Sequence, residues 1–249
     1  LSAKIDSKKP IFMDWFSAPV MPASQNSNKM IDYGGQWSGE FQCQTTPWVT
    51  GVHFRESRSG TTSHANFPGL LVPTAESSEN SGSCYGFHYA WSGGHRMIAE
   101  QLLDGRRQVQ FGHAEQSELS SAKSFETAPL FACHSSNGIG GVAQSFRKHA
   151  SLFVLKIPDT NKYRPVNYNC WEAVYFDHDI EQLKEIASLA AEIGAERFVL
   201  DDGWFKGRND DRTSLGDWQV DRRKYPQGLH PLISHIHSLG MSFGLWLEP

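Results

Sequence analysis

Residues 198–205 read Phe-Val-Leu-Asp-Asp-Gly-Trp-Phe. The first three are apolar and suit a buried strand, and Asp201, Asp202 and Gly203 follow where that strand ends. Neighbouring side chains on a strand point to opposite faces, so both carboxylates meet one ligand only if the backbone turns. Gly203 permits that turn. The stretch therefore predicts a buried strand that delivers two acids to the edge of a sheet.

Helical and strand patterns alternate around this stretch. Apolar residues recur with a period of 3.6 in two segments, and each segment ends beside a glycine, Gly194 or Gly240. The predicted elements are a strand end at 167–171, a helix over 180–193 capped by Asp177 or Asp179, a strand at Arg197–Leu200, a helix near 229–239 and a strand at 242–247. This β-α-β-α-β order is typical of a parallel sheet with helical crossovers.

Three strands cannot close a barrel. A (β/α)8 TIM barrel takes about 250 residues by itself, which is the length of this whole chain of 249 residues. We therefore predict that residues 165–249 are the first β-α-β-α-β portion of such a barrel and that the chain is truncated. A small open α/β domain is the alternative.

The upstream region has a different pattern. Short β-rich runs separated by clusters of Gly, Ser, Asn and Asp recur over residues 36–160, which is typical of an antiparallel β-sandwich. A loop at 135–141 and a helix at 142–155 follow. Residues 1–35 are polar and irregular, and only apolar pieces such as 11–13 allow short strands. The sequence thus predicts that residues 1–164 are part of an N-terminal β-sandwich domain with a linker helix near its end.

Composition excludes several functional classes. With 39% hydrophobic and 20% charged residues the chain is globular, and a net charge of -4 does not favour a nucleic-acid surface. No apolar run reaches the length of a membrane span. The four cysteines form no CxxC pair, so neither a zinc site nor a disulfide framework is predicted, which favours the cytoplasm. No nucleotide motif or other cofactor signature occurs.

The three strand ends share one chemistry, since each supplies an aromatic residue and a carboxylate. Functional residues of a (β/α)8 barrel lie at these ends, and carboxylates beside aromatic faces suit sugars. The residues concerned are Trp171 and Glu172, then Asp201, Asp202 and Trp204, and finally Trp246 and Glu248. The alternative is that the tryptophans cap a core and the acids bind loop backbone.

Asp201 and Asp202 are predicted to bind hydroxyl groups. Adjacent acids do not suit a retaining acid and nucleophile pair, which brackets the scissile bond at about 5–5.5 Å. No neighbouring His or Asp spacing supports a metal site. The charges of the long loop at 208–218 are predicted to be solvated, with Asp217 and Trp218 as further candidate contributors to the site.

Several motifs now resemble one family, the α-galactosidases of glycoside hydrolase family 36. They are Asn-Cys-Trp-Glu-Ala at 169–173, Leu-Asp-Asp-Gly-Trp-Phe at 200–205, Ser-Leu-Gly-Asp-Trp at 214–218 and Gly-Leu-Trp-Leu-Glu-Pro at 244–249, with Arg-Glu-Ser-Arg-Ser-Gly-Thr-Thr-Ser-His at 55–64 and Tyr-Gly-Phe at 85–87 upstream. Residues 1–35 carry no motif of this family. Cys170 departs from its commoner Asn-Asn-Trp pattern.

The resemblance implies retaining hydrolysis of terminal α-galactosides of the melibiose or raffinose type, without a metal or other cofactor. It implies that Asp201 and Asp202 bind galactose hydroxyls and that Trp171 and Trp246 line the same pocket. It also implies that the nucleophile and the acid/base lie beyond Pro249, so no catalytic residue is expected within this chain and the fragment alone is expected to be inactive.

Alternatives stay open within this resemblance. A raffinose- or stachyose-synthase-like galactosyl transferase would use a sugar acceptor instead of water. A non-catalytic carbohydrate-binding relative would keep the pocket and lack the nucleophile. A different terminal sugar, such as α-N-acetylgalactosamine, and a homo-oligomeric state are also open.

Overall fold

The computed structural model describes residues 1–6, 9, 11–60, 65–114, 117–118, 124–156 and 164–248. Two parts of the motifs quoted above, residues 61–64 and Pro249, lie outside these described residues. The chain divides into two compact units, Leu1–Lys156 and Ile157–Pro249. The domain boundary at 164/165 stays a prediction.

The first unit is built from antiparallel sheets. Its strands are β1 (Ser2–Lys4), β2 (Phe12–Met13), β3 (Ser17–Ala23), β4 (Lys29–Gln36), β5 (Gly39–Pro47), β6 (Gly51–Ser57), β7 (Gly69–Pro73), β8 (Cys84–Tyr89), β9 (His95–Gln101), β10 (Arg107–His113), β11 (Ser117–Glu118), β12 (Ser124–Glu126) and β13 (Leu130–Ser135). A five-stranded sheet has the order β13-β8-β7-β4-β5, and a four-stranded sheet has the order β3-β10-β9-β6. Two short pairs, β1 with β12 and β2 with β11, accompany them.

The two larger sheets pack face to face. Their shared core takes Leu70 and Tyr89 from the five-stranded sheet and Met97, Val109 and Phe111 from the four-stranded one, all fully buried or nearly so. Inward residues alternate with outward ones along β9, as expected for a strand with one buried face. The predicted antiparallel sandwich is confirmed.

The expectation of largely irregular structure over residues 1–35 is wrong, because β1, β3 and β4 begin there, whereas the short strand β2 agrees with the one allowed at 11–13. The prolines of this region mislead the prediction. Pro19 and Pro22 lie in β3, which is the edge strand of its sheet and pairs only with β10. An edge strand tolerates proline because one of its sides donates no ladder hydrogen bonds.

The linker helix also differs from its prediction. Helix α1 spans Gly138–His149 and continues as a π-helical segment, Ala150–Val154, so it begins inside the predicted loop at 135–141. Helix N-termini leave amide groups without intrahelical partners. Here Ile139 and Gly140 donate theirs to the carbonyls of Ser78 (3.2 Å) and Glu79 (2.8 Å). These distant acceptors stabilise a helix start that the local sequence does not favour.

The second unit is a three-stranded parallel sheet with helical crossovers. Its elements are β14 (Asn167–Asn169), α2 (Trp171–Val174), α3 (Ile180–Glu192), β15 (Arg197–Leu200), α4 (His230–Ser238) and β16 (Ser242–Leu245). The sheet order is β14-β15-β16, with Tyr168, Phe198 and Phe243 in register. The predicted β-α-β-α-β order is confirmed.

Local signals set the ends of α3. Of the two candidate caps the structure uses Asp179, whose carboxylate accepts from the amides of Glu181 (3.0 Å) and Gln182 (2.9 Å). Gly194 follows the helix with φ +93°, a conformation that favours glycine. The helix then packs Leu183 and Ala187 into a core with Phe198 and Leu200. Because the three strands pair in parallel, their carboxyl ends lie at one edge of the sheet.

Candidate functional site

The ends of β14 and β15 are joined by a side-chain contact. Asn169 donates from Nδ2 to Oδ2 of Asp201 at 2.5 Å, and its Oδ1 accepts from the amide of Trp171 at 2.8 Å. The other oxygen of Asp201 accepts from the amide of Asp202 at 2.7 Å. Asp201 is thus a buried, oriented carboxylate, and Asn169, to which the sequence assigned no role, positions it.

The chain turns directly after the two acids. Gly203 has φ +107°, and a Cβ there would lie 3.0 Å from Nε2 of His178. The predicted turn at Gly203 is confirmed, and close packing restricts the position to glycine in addition to the backbone conformation. The turn keeps both neighbouring acids at this edge of the sheet, with Asp201 7% and Asp202 6% exposed.

Asp202 is held by a bidentate ion pair. Nε of Arg208 donates to Oδ1 at 2.9 Å, and Nη2 donates to Oδ2 at 2.7 Å. The guanidinium also lies over the rings of Phe176 and Phe205, with Cζ 5.4 and 5.7 Å from their centroids. Asp202 is therefore a fixed anion whose remaining lone pairs can accept hydrogen bonds from a ligand.

The prediction of solvated charges at 208–218 is wrong for Arg208, which is 4% exposed. Its hydrogen bonds to Asp202 raise its pKa further above the ordinary value, so it is always charged. The prediction holds for Asp211 and Arg212, whose side chains are 82% and 91% exposed. The physical difference is that only Arg208 finds a buried carboxylate between two aromatic rings.

The predicted tryptophans belong to two aromatic groups that flank the acids. Trp171 follows β14 and contacts the rings of Tyr175 and Phe176 at 5.2 and 5.0 Å between centroids. Trp246 follows β16 and contacts Trp218 at 6.2 Å. Since β15 lies between β14 and β16, Asp201 and Asp202 lie between the two groups.

The second group explains part of the long loop. Trp218 stacks on Trp204 at 6.3 Å and meets Phe205 edge-on at 4.9 Å, while Nε1 of Trp204 donates to the carbonyl of Trp246 at 2.9 Å. Trp218 is thereby packed beside the strand ends. Asp217 is exposed, and no contact of its side chain supports a role in the site, so its assignment stays a prediction.

Lys224 is a residue that sequence reasoning missed. Its Nζ donates to three backbone carbonyls, those of Phe176 (2.8 Å), Gly203 (2.8 Å) and Arg208 (2.9 Å). Burial lowers the pKa of Lys224. No local pattern announces these contacts, because the acceptors lie 16 to 48 positions away along the chain.

A neutral histidine lies under the turn. Nε2 of His178 contacts the carbonyl of Tyr175 at 3.0 Å, and Nδ1 contacts Oη of Tyr225 at 2.7 Å. A carbonyl only accepts, so Nε2 carries the proton and Nδ1 accepts from the tyrosine. Burial, together with the nearby charge of Lys224, lowers the pKa of His178 to about 4, and burial raises the pKa of Tyr225. The pair supports the turn without charge.

The remaining strand-end acids are peripheral. Glu172 and Glu248 are exposed, and Glu172 accepts from Oη of Tyr175 at 2.9 Å. Among the residues described, no group of three or more His, Cys, Asp or Glu is placed to bind a metal ion. The helices that the structure describes include none with the length and apolar character needed to cross a membrane.

This arrangement can bind a polyhydroxylated ring. Two oriented carboxylates offer hydrogen-bond acceptors, and aromatic groups on both sides offer apolar faces for C–H groups. Both acids are already held by donors of the protein, so their geometry is set before a ligand arrives. That is the arrangement expected of a binding shell and not of an acid and nucleophile pair.

Comparison with protein families gives two matches that together span most of the chain. A model described as the glycosyl hydrolase family 36 N-terminal domain matches residues 3–120, and a model described as melibiase matches residues 124–249. Residues 1–35, in which the sequence shows no family motif, are therefore part of the matched region from residue 3 onward.

Curated relatives carry the name α-galactosidase. One from Escherichia coli is 41% identical over 235 residues, covering 93% of this chain and 33% of that protein. AgaA of Geobacillus stearothermophilus is 38% identical over 229 residues, covering 88% of this chain and 30% of its own length. The chain thus spans about a third of the length of the curated relatives it matches.

Solved structures share the fold. The galactosidase domain of AgaSK, a bifunctional α-galactosidase/sucrose kinase of Mediterraneibacter gnavus, has a TM-score of 0.90 at 31% identity, covering 100% of this chain and 35% of that chain. AgaA of G. stearothermophilus in complex with stachyose has a TM-score of 0.84 at 36% identity, covering 92% and 32%. The fold is an antiparallel β-sandwich followed by the start of a (β/α)8 barrel.

Proposed function

This chain belongs to glycosyl hydrolase family 36, and we propose that it is part of an α-galactosidase that removes terminal non-reducing α-D-galactose with retention of configuration. Relatives that are 41% and 38% identical carry this activity in their names. Because the chain spans about a third of their length, the activity is proposed for the full-length protein, in which the remaining strands complete the barrel.

One observation carries the proposal, namely the two buried, pre-oriented carboxylates at the end of the central strand. We assign Asp201 and Asp202 to galactose hydroxyls and the flanking Trp171 and Trp246 to the walls of the same pocket. Asp217 and Trp218 are proposed as contributors from the loop. The substrates are α-galactoside oligosaccharides of the melibiose or raffinose type, in line with neighbours solved in complex with stachyose and raffinose.

The mechanism follows from this division of labour. In a retaining glycosidase one carboxylate attacks the anomeric carbon while a carboxylic acid protonates the leaving oxygen, and water then hydrolyses the glycosyl-enzyme. We propose that the residues completing the barrel supply both groups and that this chain holds the ring in the geometry of attack. The 249 residues alone are then inactive, and the reaction requires no cofactor.

We propose a cytoplasmic setting for the protein. All four cysteines, which lie in the described part of the chain, are free thiols, and this suits a reducing cytoplasm. A net charge of -4 does not favour nucleic acid as a partner. A homo-oligomer is compatible with the exposed apolar residues of the sandwich, among them Trp37 and Phe41.

The test is turnover by the full-length protein with p-nitrophenyl α-galactoside. We expect release of p-nitrophenol in the wild type and its loss in Asp202→Ala, with the circular dichroism spectrum of a folded protein retained. Asp211→Asn, which changes an exposed acid of the same loop, is the matched control and keeps wild-type turnover.

Product analysis completes this test. Free galactose from p-nitrophenyl α-galactoside, in the presence of excess sucrose, agrees with hydrolysis. Galactose transferred to the added sugar identifies a galactosyl transferase instead. A folded full-length protein that binds galactose without any turnover overturns the enzyme proposal in favour of a carbohydrate-binding protein.

A further inference from the structure

Lys224 uses all three of its hydrogen-bond donors on backbone carbonyls in two loops. An ammonium group has three donors, and the three carbonyl acceptors of Lys224 lie 2.8, 2.8 and 2.9 Å away. Among the described residues no ion pair joins Lys224 to an acid, Asp202 included. The side chain therefore acts on backbone groups and not on the carboxylate itself.

Each of the three acceptor carbonyls lies on a residue that forms or directly neighbours the Asp202–Arg208 ion pair. The carbonyl of Gly203 follows Asp202 directly, at the turn that aims its side chain. The carbonyl of Arg208 belongs to the residue whose guanidinium holds Asp202. The carbonyl of Phe176 belongs to the residue whose ring lies against that guanidinium. Lys224 thus fixes the backbone of the acid's turn, of its partner and of the partner's aromatic support.

The partial burial of Lys224 distinguishes it from an ordinary surface lysine. Lys224 is half-buried, and the partial desolvation of its charged form lowers its pKa. Compensation comes from three charge-assisted hydrogen bonds to carbonyls that would otherwise lack these donors. Such a geometry joins the loop after β14 to the loop after β15, the two segments that must keep their relative positions for a ligand to meet both Trp171 and Asp202.

We propose that Lys224 is a positioning residue for sugar binding, which keeps the Asp202–Arg208 pair in its receptive geometry by fixing the backbone at Phe176, Gly203 and Arg208. This inference rests on the proposed α-galactosidase function and adds a residue that contacts no substrate. A group displaced by about 1 Å can cost about 100-fold in rate, so the effect on kcat/KM is measurable even though Lys224 lies outside the pocket.

The test compares lysine variants of the full-length protein. Lys224→Met keeps the length of the side chain and removes all three donors. We expect kcat/KM for p-nitrophenyl α-galactoside to fall about 10- to 100-fold, with KM carrying most of the loss, at a temperature where circular dichroism shows the variant folded. Lys206→Met changes an exposed lysine of the same loop and keeps wild-type constants.

A double-mutant cycle separates positioning from plain stabilisation. If Lys224 acts through the Asp202–Arg208 pair, Lys224→Met adds little further loss of kcat/KM to Arg208→Met. Additive losses, or unchanged KM in Lys224→Met with only a lower melting temperature, overturn the inference. If Lys224→Met does not fold, Lys224→Gln is measured with the same two outcomes.

Failure of the inference is distinguishable from failure of the proposed function. A wild type that hydrolyses the substrate while the Lys224 variants keep its KM removes the positioning role and leaves the α-galactosidase assignment intact. A folded wild type without turnover removes the assignment. In that case the dissociation constant for galactose replaces KM in the same comparison of Lys224, Lys206 and Arg208 variants, with the same expected and contradicting results.

Discussion

Both units of the molecule bury an aspartate against an arginine, yet the two pairs have different surroundings. Asp32 of β4 accepts from His53 at 2.8 Å and from Arg55 at 2.9 Å, and both partners lie on β6 of the opposite sheet. Asp202 is the second residue after β15 and pairs with Arg208 from the same loop. The first pair joins two sheets, whereas the second fixes one side chain at a strand end.

The position of a buried ion pair within or beyond a strand indicates whether it is a candidate binding site. Asp32 lies within the ladder, opposite Gln44, and is 1% exposed. Asp202 lies after the end of the β15 ladder, at the glycine turn and between the two aromatic groups. Both clusters hold a buried aspartate with an arginine, so we infer that position relative to the end of a strand separates structure from site.

Arg208→Met is the largest single perturbation that the comparison offers. It leaves the buried carboxylate of Asp202 without its counter-ion, and we expect a loss of roughly 3–5 kcal/mol in the free energy of unfolding. Urea denaturation measures the loss. The double variant Asp202→Asn/Arg208→Met should recover part of it, because no unpaired charge remains.

Arg212→Met is the control for this prediction. Its side chain is 91% exposed, and we expect a change within about 0.5 kcal/mol. Equal destabilisation by Arg208→Met and Arg212→Met would contradict the buried pair.

His178 gives the second region a pH dependence. Its pKa is about 4 in the folded protein and near 6.5 when unfolded, so the unfolded state takes up the proton first as the pH falls. The stability it contributes is complete above pH 6.5 and declines towards pH 4, by roughly 2–3 kcal/mol. Thermal melts of wild type and His178→Gln from pH 7 to pH 4 measure this decline.

His237→Gln removes an exposed histidine and serves as the control. We expect its melting temperature to follow the wild-type pH profile, while His178→Gln shows the shallower one. Parallel profiles for wild type and His178→Gln would disprove the buried neutral histidine.

Asp32→Asn tests the first region. Burial alone would raise the pKa of Asp32, but the hydrogen bond from His53 and the charge of Arg55 outweigh it and keep that pKa below its usual value. A lowered folded pKa contributes stability above the unfolded pKa of about 3.9, and this is lost as the pH falls through the folded value. We expect Asp32→Asn to cost about 1–2 kcal/mol at pH 7 and to flatten the acid limb of the stability profile.

Turnover is the discriminating part of this prediction. Asp32→Asn should keep the kcat/KM of the wild type at a temperature where both are folded. A loss of activity that exceeds the loss of folded protein would place the Asp32 cluster in the site and erase the contrast between the two regions.

Asn169→Ala is the smallest expected change in stability and sharpens the description of the site. Asp201 loses one of its two donors but keeps the amide of Asp202. We expect less than about 1 kcal/mol of destabilisation and a fall of about 10-fold in kcat/KM. Steady-state kinetics on the full-length protein decide it, and unchanged kcat/KM would show that Asn169 does not orient Asp201.

The sequence predicts those parts of the fold whose signals are local. Asp179 and Gly194 mark the ends of α3, the period of its apolar residues marks its buried face, and Gly203 marks the turn after the two acids. Each of these features depends on residues within a few positions, so the pattern carries the information. The antiparallel strands after residue 36 follow similarly from alternation and turn residues, whereas most strands of residues 1–35 do not.

Non-local partners account for what the sequence does not predict. Arg208 differs from its exposed neighbours only because Asp202 and two aromatic rings surround it in three dimensions. Lys224 requires carbonyls that lie 16 to 48 positions away in two loops, and α1 begins at Gly138 because carbonyls of Ser78 and Glu79 accept its free amides. Composition and periodicity do not predict contacts between residues that are distant in sequence. The roles of Arg208 and Lys224 are therefore visible only in the structure.

We propose that Asp202 serves binding whereas Asp32 serves folding, and one paired measurement tests this difference in role. Asp202→Asn and Asp32→Asn are prepared in the full-length protein, and kcat/KM for p-nitrophenyl α-galactoside is measured beside the melting temperature. We expect both variants to have lower melting temperatures than the wild type. We expect Asp202→Asn to lose about 100-fold or more in kcat/KM and Asp32→Asn to keep the wild-type kcat/KM. Comparable turnover in the two variants would contradict the proposal.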